Sequence, residues 1–236
     1  MKAIIFGATG MVGQGLLREC LLDPDVEAVL TIGRTPTGQK NAKLRELAHA
    51  GLLNFSAIES DLSGYDACFF CLGISSTGTT EAEYERITYS IPVAAAQTLV
   101  RLNPAMTFIY VSGAGADSTE KGRTMWARIK GKAENTLLAM PFKAVYVFRP
   151  AFIQPMHGIR SRTKLYNAMY AVMGPLYPLW KAIAPGYVTT TEELGRAMIF
   201  VSKRGFPKRV VERKVPERNI FESQDIPSVA QESSRP

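Results

Sequence analysis

Three regularly spaced glycines follow the first apolar run of the chain. Gly7, Gly10 and Gly13 stand in the segment GATGMVG. Glycines at this spacing let the chain turn sharply after a strand and let backbone amides approach a pyrophosphate, since no Cβ intervenes. The first turn of the following helix presents unpaired N–H groups and the positive end of its dipole. The segment therefore predicts a dinucleotide site. The other loop residues counted with that site are Thr9, Met11 and Val12.

An arginine follows the second apolar run. In loops of this kind an acidic side chain about 20 residues further on receives the ribose 2′-hydroxyl of NAD. No acidic residue lies between Leu30 and Lys40, where Arg34 is found instead. A guanidinium suits a 2′-phosphate because it forms paired, charge-assisted hydrogen bonds. We therefore predict NADP(H) as the cofactor, with NAD as the less favoured alternative.

The elements that would position these residues alternate between strands and helices. Continuous apolar runs, typical of strands covered on both faces, occupy residues 3–6, 28–32, 67–71, 106–111 and 144–148. Helical patterns occupy residues 12–21, 41–50, 90–102, 123–139 and 192–203. This alternation predicts an α/β fold with a doubly wound parallel sheet, the Rossmann fold.

The length and composition favour a single domain. The chain has 236 residues, of which 46% are hydrophobic and 21% charged, which is typical of a globular protein. We predict a dinucleotide-binding domain over residues 1–220, with residues 151–190 as a small C-terminal substrate or lid region. The polar composition from Phe221 onward predicts a flexible tail over residues 221–236.

An almost uncharged stretch lies between Leu165 and Ala184. Gly174, Pro175 and Pro178 interrupt it and argue against a transmembrane helix. We interpret it as the apolar wall of a substrate region. A partner or dimer surface and an interfacial membrane contact remain alternatives.

The positive charge is mostly local. The formal net charge is +7, and the run from Lys203 to Arg218 holds seven Lys/Arg against two Glu. Neither a recognition motif nor a pattern of interleaved aromatic residues accompanies this run, which favours a solvated face over a nucleic-acid site. We expect a small-molecule substrate as partner and no nucleic acid; a protein partner and the oligomeric state stay open.

The cysteines are few and odd in number. Cys68 and Cys71 form C-x-x-C inside an apolar run, which favours buried strand thiols over a redox or metal pair. His49 and His157 show no ligand-like spacing, so no metal site is predicted. With Cys20 as the third cysteine and no secretory signal ahead of the first apolar run, we expect a cytoplasmic location.

Together these motifs resemble the short-chain dehydrogenase/reductase superfamily, in particular its atypical, epimerase-like members. Among these, the chain is most similar to the branch of Tat-interacting-protein-type, oxidoreductase-like proteins. The resemblance covers roughly residues 3 to 155 and is carried by the glycine loop and by residues 69–73, 111–117, 130–134 and 148–150.

The resemblance implies roles for individual residues. Asp61 and Leu62 would border the adenine, and Leu72 and Gly73 would line the ribose side. Further cofactor contacts implied by it are Cys71 and Pro150. The catalytic residues implied are Ser112, beside the nicotinamide, and Lys130, on the nicotinamide ribose.

The chain departs from the superfamily at one position. A Tyr-x-x-x-Lys pair normally exchanges the proton that accompanies hydride transfer, but Trp126 stands four residues before Lys130. An indole N–H does not exchange its proton near neutral pH. The pair Tyr177 and Lys181 is rejected because Pro178 interrupts it. Other candidate donors, each more simply explained by packing or surface position, are Tyr110, Tyr89 and Thr124.

Two functions follow. The first is an NADP(H)-dependent oxidoreductase or epimerase-type enzyme acting on a carbonyl or hydroxyl substrate, which the presence of Ser112 and Lys130 favours. The second is a dinucleotide-binding regulatory or interaction protein with little or no turnover, which Trp126 favours. A hydrolase is disfavoured because Ser112 lacks the preceding glycine of G-x-S-x-G, and no P-loop pattern occurs.

Overall fold

The computed structural model describes residues 1–159, 183, 186–206 and 219–233. The strands are β1 (Lys2–Phe6), β2 (Ala28–Gly33), β3 (Leu44–Ala48), β4 (Ala67–Phe70), β5 (Thr107–Val111), β6 (Ala144–Arg149), β7 (Phe152–Gln154), β8 (Val188–Thr190) and β9 (Ile220–Glu222). The helices are α1 (Met11–Leu22), α2 (Glu81–Glu85), α3 (Ile91–Leu102), α4 (Met125–Leu138), α5 (Thr191–Arg204) and α6 (Ile226–Glu232). A 3₁₀ helix spans Ser56–Asp61 and a π-helical turn spans Arg86–Ser90.

Seven parallel strands form the central sheet, in the order β3-β2-β1-β4-β5-β6-β9. At its centre Ile4 lies opposite Leu30 on one side and Cys68 on the other. The strand order reverses between β1 and β4, which is where α/β sheets of this type bind their ligands. The predicted Rossmann-type α/β fold is confirmed. A separate pair, β7 and β8, is also parallel.

The sheet is buried on both faces. One face packs against α1, α5 and α6, through apolar side chains such as Leu16, Leu194 and Ile226. The other face packs against α3 and α4, through Leu99 and Leu137. Burial of each such side chain stabilises the fold by about 1.5–3 kcal/mol. This double coverage explains why the strands are continuously apolar in sequence.

The prediction of a helix over residues 41–50 is wrong. Leu44–Ala48 forms β3, the edge strand, which pairs with β2 so that Glu46 lies opposite Thr31. Leucine, glutamate and arginine favour helices intrinsically, but pairing with a neighbouring strand outweighs that preference. The predicted helix over 90–102 is confirmed in α3, although helical structure already begins at Glu81, where Thr80 caps α2.

The structure also contradicts the predicted flexible tail for residues 221–233. Strand β9 pairs with β6, with Phe221 opposite Phe148, and α6 buries Ile226 and Val229. These apolar residues are separated by polar ones, so their contribution to the core was not evident from composition. Residues 234–236 lie outside the described residues.

Several sequence features fall wholly or partly outside the described residues. Of the predicted lid region, 151–159, 183 and 186–190 are described and contain β7 and β8. The apolar stretch is described only at Ile183, and neither Tyr177 nor Lys181 is described. Within the basic run, Lys203 forms ion pairs with Asp23 and Asp25, while residues 207–218 are not described. No helix in the described part of the chain has the length and apolarity to cross a bilayer.

Candidate functional site

The glycine loop leaves β1 in a conformation that only glycine adopts readily. Gly7 has φ of +79°, and a Cβ at this position would lie 2.7 Å from the backbone nitrogen of Leu72. The loops after β1 and β4 therefore touch through their backbones. This contact fixes the floor of a cleft at the carboxyl edge of the sheet.

The first turn of α1 is shaped in the same way. A Cβ on Gly13 would lie 2.1 Å from the carbonyl oxygen of Gly7. Gly10 caps the helix without a side-chain hydrogen bond, and the first turn contains no acidic residue. No acidic side chain of this turn therefore competes for the N–H groups and the positive dipole end at Met11 and Val12. This cradle, which a Cβ would fill, fits a diphosphate.

A pocket opens beside this loop, at the ends of β2 and β3. Its lining comprises Gly7, Ala8, Thr9, Thr31, Ile32, Gly33, Arg34, Thr35, Pro36, Thr37, Leu47, Leu52 and Leu72. Leu47, Leu52 and Leu72 form an apolar side suited to a purine ring. Arg34 lies on the polar side, is exposed, and has no ion-pair partner among the described residues.

Glu46 organises the polar side of this pocket from the neighbouring strand. Its carboxylate accepts hydrogen bonds from the backbone N–H of Thr37 at 2.5 Å and of Gly38 at 3.1 Å. The Thr31 hydroxyl donates to it at 3.4 Å. Burial opposes ionisation, but these hydrogen bonds lower the pKa of Glu46 below its ordinary value. Sequence reasoning missed Glu46 because it assigned this segment to a helix.

Asp61 and Leu62 do not lie at this pocket, contrary to the role that the resemblance implied. Leu62 is buried, and its carbonyl accepts a hydrogen bond from Asn103, which precedes β5 at the amino edge of the sheet. Asp61 forms an ion pair with Arg45 there. The true end of β3 is Ala48, more than ten residues earlier. The side chains that follow β3 into the pocket therefore include Leu52.

Cys71, Leu72 and Gly73 do follow β4 at the carboxyl edge. The Cys71 amide donates to the carbonyl of Phe6, and Gly73 is exposed. The Cys71 side chain packs on the α1 face of the sheet, whereas Cys68 is buried on the opposite face. Burial raises the pKa of Cys71 to about 12 and that of Cys68 well above its ordinary value. In the described residues no cluster of His, Cys, Asp and Glu could hold a metal ion.

Ser112 directly follows β5 and is buried. Its Oγ has no hydrogen-bond partner among the residues that the structure describes. Its own amide donates to the carbonyl of Phe148, and the amide of Ala114 donates to the carbonyl of Pro150. These bonds bring Pro150 beside the loop that follows β5. A buried hydroxyl without a partner costs free energy, so it marks a position where a ligand would supply one.

Lys130 reaches the same loop from α4. A Cβ on Gly113 would lie 3.7 Å from Cε of Lys130, and Nζ lies 5.9 Å from the ring centre of Tyr110. Burial lowers the pKa of Lys130 to about 8, and the nearby carboxylate of Glu134 partly opposes this shift. Lys130 and the loop containing Ser112 are thus brought together, as the resemblance implied.

No phenol occupies the place of the missing tyrosine in the described part of the chain. The Trp126 ring packs against the loop after β5, where a Cβ on Gly115 would lie 3.3 Å from it. Tyr110 donates its hydroxyl proton to the carbonyl of Thr88 at 3.0 Å, and burial raises the pKa of Tyr110. The remaining candidates face elsewhere: Nζ of Lys132 lies 4.2 Å from the ring centre of Tyr89, and Thr124 is exposed at the start of α4.

A buried ion pair holds α4 against the sheet next to this site. Glu134 is fully buried and accepts hydrogen bonds from Arg149, including Nε to Oε1 at 3.1 Å. Arg149 also donates to Glu222 at 3.0 Å and to Ser118 at 2.7 Å. The network joins α4, which carries Lys130, to β6, β9 and the loop after β5.

Comparison with known proteins identifies relatives of low identity. The chain matches no known protein-family model. It is 27% identical to protein FMP52-2, mitochondrial, of Scheffersomyces stipitis over 97% of both chains. It is 25% identical to protein FMP52, mitochondrial, of Debaryomyces hansenii over 86% of this chain and 88% of the relative.

These relatives contradict the cytoplasmic location expected from the sequence. Both carry names that place them in mitochondria. The expectation rested on sparse cysteines and on the lack of a secretory signal. Those features argue only against an oxidising, secreted environment and do not distinguish among the other compartments.

Solved structures share the fold. Bordetella bronchiseptica WbmG, in complex with NAD, matches with a TM-score of 0.65 and 13% identity over 99% of this chain and 77% of that one. A short chain dehydrogenase family protein from Francisella tularensis matches with a TM-score of 0.58 and 12% identity over 86% of this chain and 91% of that one. The fold implied by the resemblance is confirmed. The chain has the fold of the short-chain dehydrogenase/reductase superfamily and is similar in sequence to the FMP52 proteins.

Proposed function

We propose that this protein is a nicotinamide-dinucleotide-dependent oxidoreductase or epimerase-type enzyme that prefers NADP(H) and acts on a carbonyl or hydroxyl substrate. The observation that carries the proposal is the buried hydroxyl of Ser112, which has no partner in the described part of the chain and lies at the same edge of the sheet as the glycine cradle. The NAD complex of the structurally similar WbmG supports a nicotinamide dinucleotide as the ligand.

Separate groups of residues would bind the cofactor and act on the substrate. The amides of the glycine loop would hold the diphosphate, and the Lys130 ammonium would donate to the nicotinamide ribose. The bound cofactor would supply or accept a hydride. Ser112 would donate a hydrogen bond to the substrate oxygen, stabilising the charge that develops there.

The preference for NADP(H) rests on Arg34. Its guanidinium is exposed at the polar side of the pocket and pairs with no acid in the described residues, so it would meet a 2′-phosphate without first losing a partner. Two threonines, Thr35 and Thr37, line the same side and would add hydroxyl donors.

Replacing Arg34 with alanine should weaken NADPH binding by roughly 10- to 100-fold, because a charge-assisted hydrogen bond contributes about 1.5–3 kcal/mol. NADH affinity should stay nearly unchanged. Titration calorimetry with both coenzymes measures the two effects. Lys40→Ala, which removes an exposed cation beyond the pocket, is the matched control and should change neither affinity. Equal losses for the two coenzymes in R34A would show that Arg34 does not bind the 2′-phosphate.

Ser112→Ala should lower kcat by about 10²–10³-fold with little effect on cofactor affinity, as expected for a lost donor to a developing oxyanion. Lys130→Ala should weaken cofactor binding as well. The assay follows oxidation of NADPH with a panel of aldehydes, ketones and quinones. Lys132→Ala serves as control because Lys132 pairs with Glu85 instead. Turnover that persists in both S112A and K130A would contradict these roles.

Trp126 favours a second candidate, a dinucleotide-binding regulatory or interaction protein with little turnover. Of the candidate tyrosines, Tyr110 is committed to the carbonyl of Thr88, and the Tyr89 ring packs against Lys132. General acid catalysis contributes about 10²–10⁴-fold, so its loss alone could reduce an enzyme to slow turnover. Tight NADPH binding without turnover on the panel would favour this candidate. For either one, the names of the FMP52 relatives support a mitochondrial location.

A further inference from the structure

We propose that Glu46 is a positioning residue that holds residues 34–38 in the conformation that receives a 2′-phosphate. The inference rests on the NADP(H) preference proposed above and names a second residue on which that preference depends. Glu46 would not touch the cofactor. It would act through the loop that carries Arg34.

Glu46 binds backbone groups of the loop that carries Arg34. An acid close to Arg34 would be expected to pair with it and so occupy the guanidinium. Glu46 instead accepts the backbone N–H groups of Thr37 and Gly38, together with the Thr31 hydroxyl. Its charge is therefore stabilised by backbone dipoles, and Arg34 remains exposed and unpaired within the described residues.

Residues 34–38 are almost entirely exposed, and Gly38 has φ of +75°, where an added Cβ would meet no heavy atom within 4 Å. Nothing apolar in the described residues anchors the far end of the segment. Ordering a free backbone on binding costs conformational entropy, which would be subtracted from the binding energy of the phosphate. The two hydrogen bonds to Glu46 order the loop before the ligand arrives and so reduce that loss.

A carboxylate beside a phosphate repels it, and donors to the carboxylate oxygens offset part of that repulsion. The oxygens of Glu46 face Thr37, Gly38 and Thr31, and all three groups are donors. The substitution Glu46→Gln separates the effect of the negative charge from the effect of the hydrogen bonds to the loop. It removes the charge but keeps one acceptor oxygen.

The test compares Glu46→Ala, Glu46→Gln and the control Arg45→Ala on the same strand. The control loses an ion pair with Asp61 and a side-chain hydrogen bond with Tyr65, and neither partner lines the pocket. Calorimetry measures Kd for NADPH, NADH and the half-ligand 2′,5′-ADP. We expect E46A to weaken NADPH and 2′,5′-ADP by about tenfold, the equivalent of one charge-assisted hydrogen bond, and to leave NADH within about twofold. E46Q should fall between E46A and the parent protein, and R45A should match the parent.

A second measurement needs no ligand. Hydrogen exchange at the amides of Thr37 and Gly38 should accelerate in E46A and stay slow in R45A, because Glu46 is their acceptor. Tighter NADPH binding in E46A or E46Q would overturn the inference, since the carboxylate would then repel the phosphate. Equal losses for NADPH and NADH would also overturn it. If the parent protein does not prefer NADPH over NADH, both the proposed specificity and the role of Glu46 are wrong. If E46A keeps the full preference of the parent protein, only the role of Glu46 is wrong.

Discussion

Gly13→Ala is expected to weaken binding of NADPH and of NADH alike by about 100-fold, which corresponds to about 2.7 kcal/mol. The added Cβ would lie 2.1 Å from the carbonyl oxygen of Gly7, a backbone atom that moves only if the loop moves. Displacing the loop misaligns the amides that would hold the diphosphate, a group that both coenzymes share. Titration calorimetry on the folded variant measures the loss.

The control for this substitution is Gly51→Ala, where the added Cβ meets only the His49 side chain at 3.6 Å and a carbonyl oxygen at 3.7 Å. That variant should bind both coenzymes as the parent protein does. Circular dichroism and thermal unfolding show whether G13A still folds. If G13A folds and binds both coenzymes with unchanged affinity, the glycine loop does not hold the diphosphate. G13A should weaken both coenzymes equally, whereas R34A should weaken NADPH alone.

The central sheet was predictable because each of its buried strands can be recognised from a short stretch of sequence. A strand that is covered on both faces requires apolar residues at consecutive positions, as in the runs around Ile4, Phe69 and Ile109. The glycine loop was predictable for a similar reason, since its position between a buried strand and an amphipathic helix leaves few other roles. The order of the strands then follows from right-handed crossovers.

The edges of the fold were not predictable in this way. Strand β3 is half exposed and composed of good helix formers, so only its pairing with β2 makes it a strand. Misplacing it had two consequences for the site. It hid Glu46, and it shifted the adenine border to Asp61 and Leu62, which lie at the opposite edge of the sheet. Distant pairing likewise brings Phe221 into the core.

Glu134→Ala is expected to lower the free energy of unfolding by about 3–5 kcal/mol, because it leaves Arg149 buried without its main partner. The Arg149 side chain is only 11% exposed. Among the described residues it contacts one other carboxylate, that of Glu222, whose side chain is 43% exposed. Urea denaturation followed by fluorescence measures the change. In any E134A or E134Q that folds, the pKa of Lys130 should fall below its value of about 8, since Glu134 raises it.

Glu222→Ala is the matched control, since it removes the more exposed carboxylate from the same guanidinium and should cost no more than about 1 kcal/mol. The double variant Glu134→Leu with Arg149→Met sharpens the test. It removes both charges from the interior, so it should be more stable than Glu134→Ala alone, because no unpaired ion is left buried. If E134A costs no more than E222A, the pair does not hold α4 in place, and the position of Lys130 must depend on the packing of Ala133 and Leu137 against the sheet.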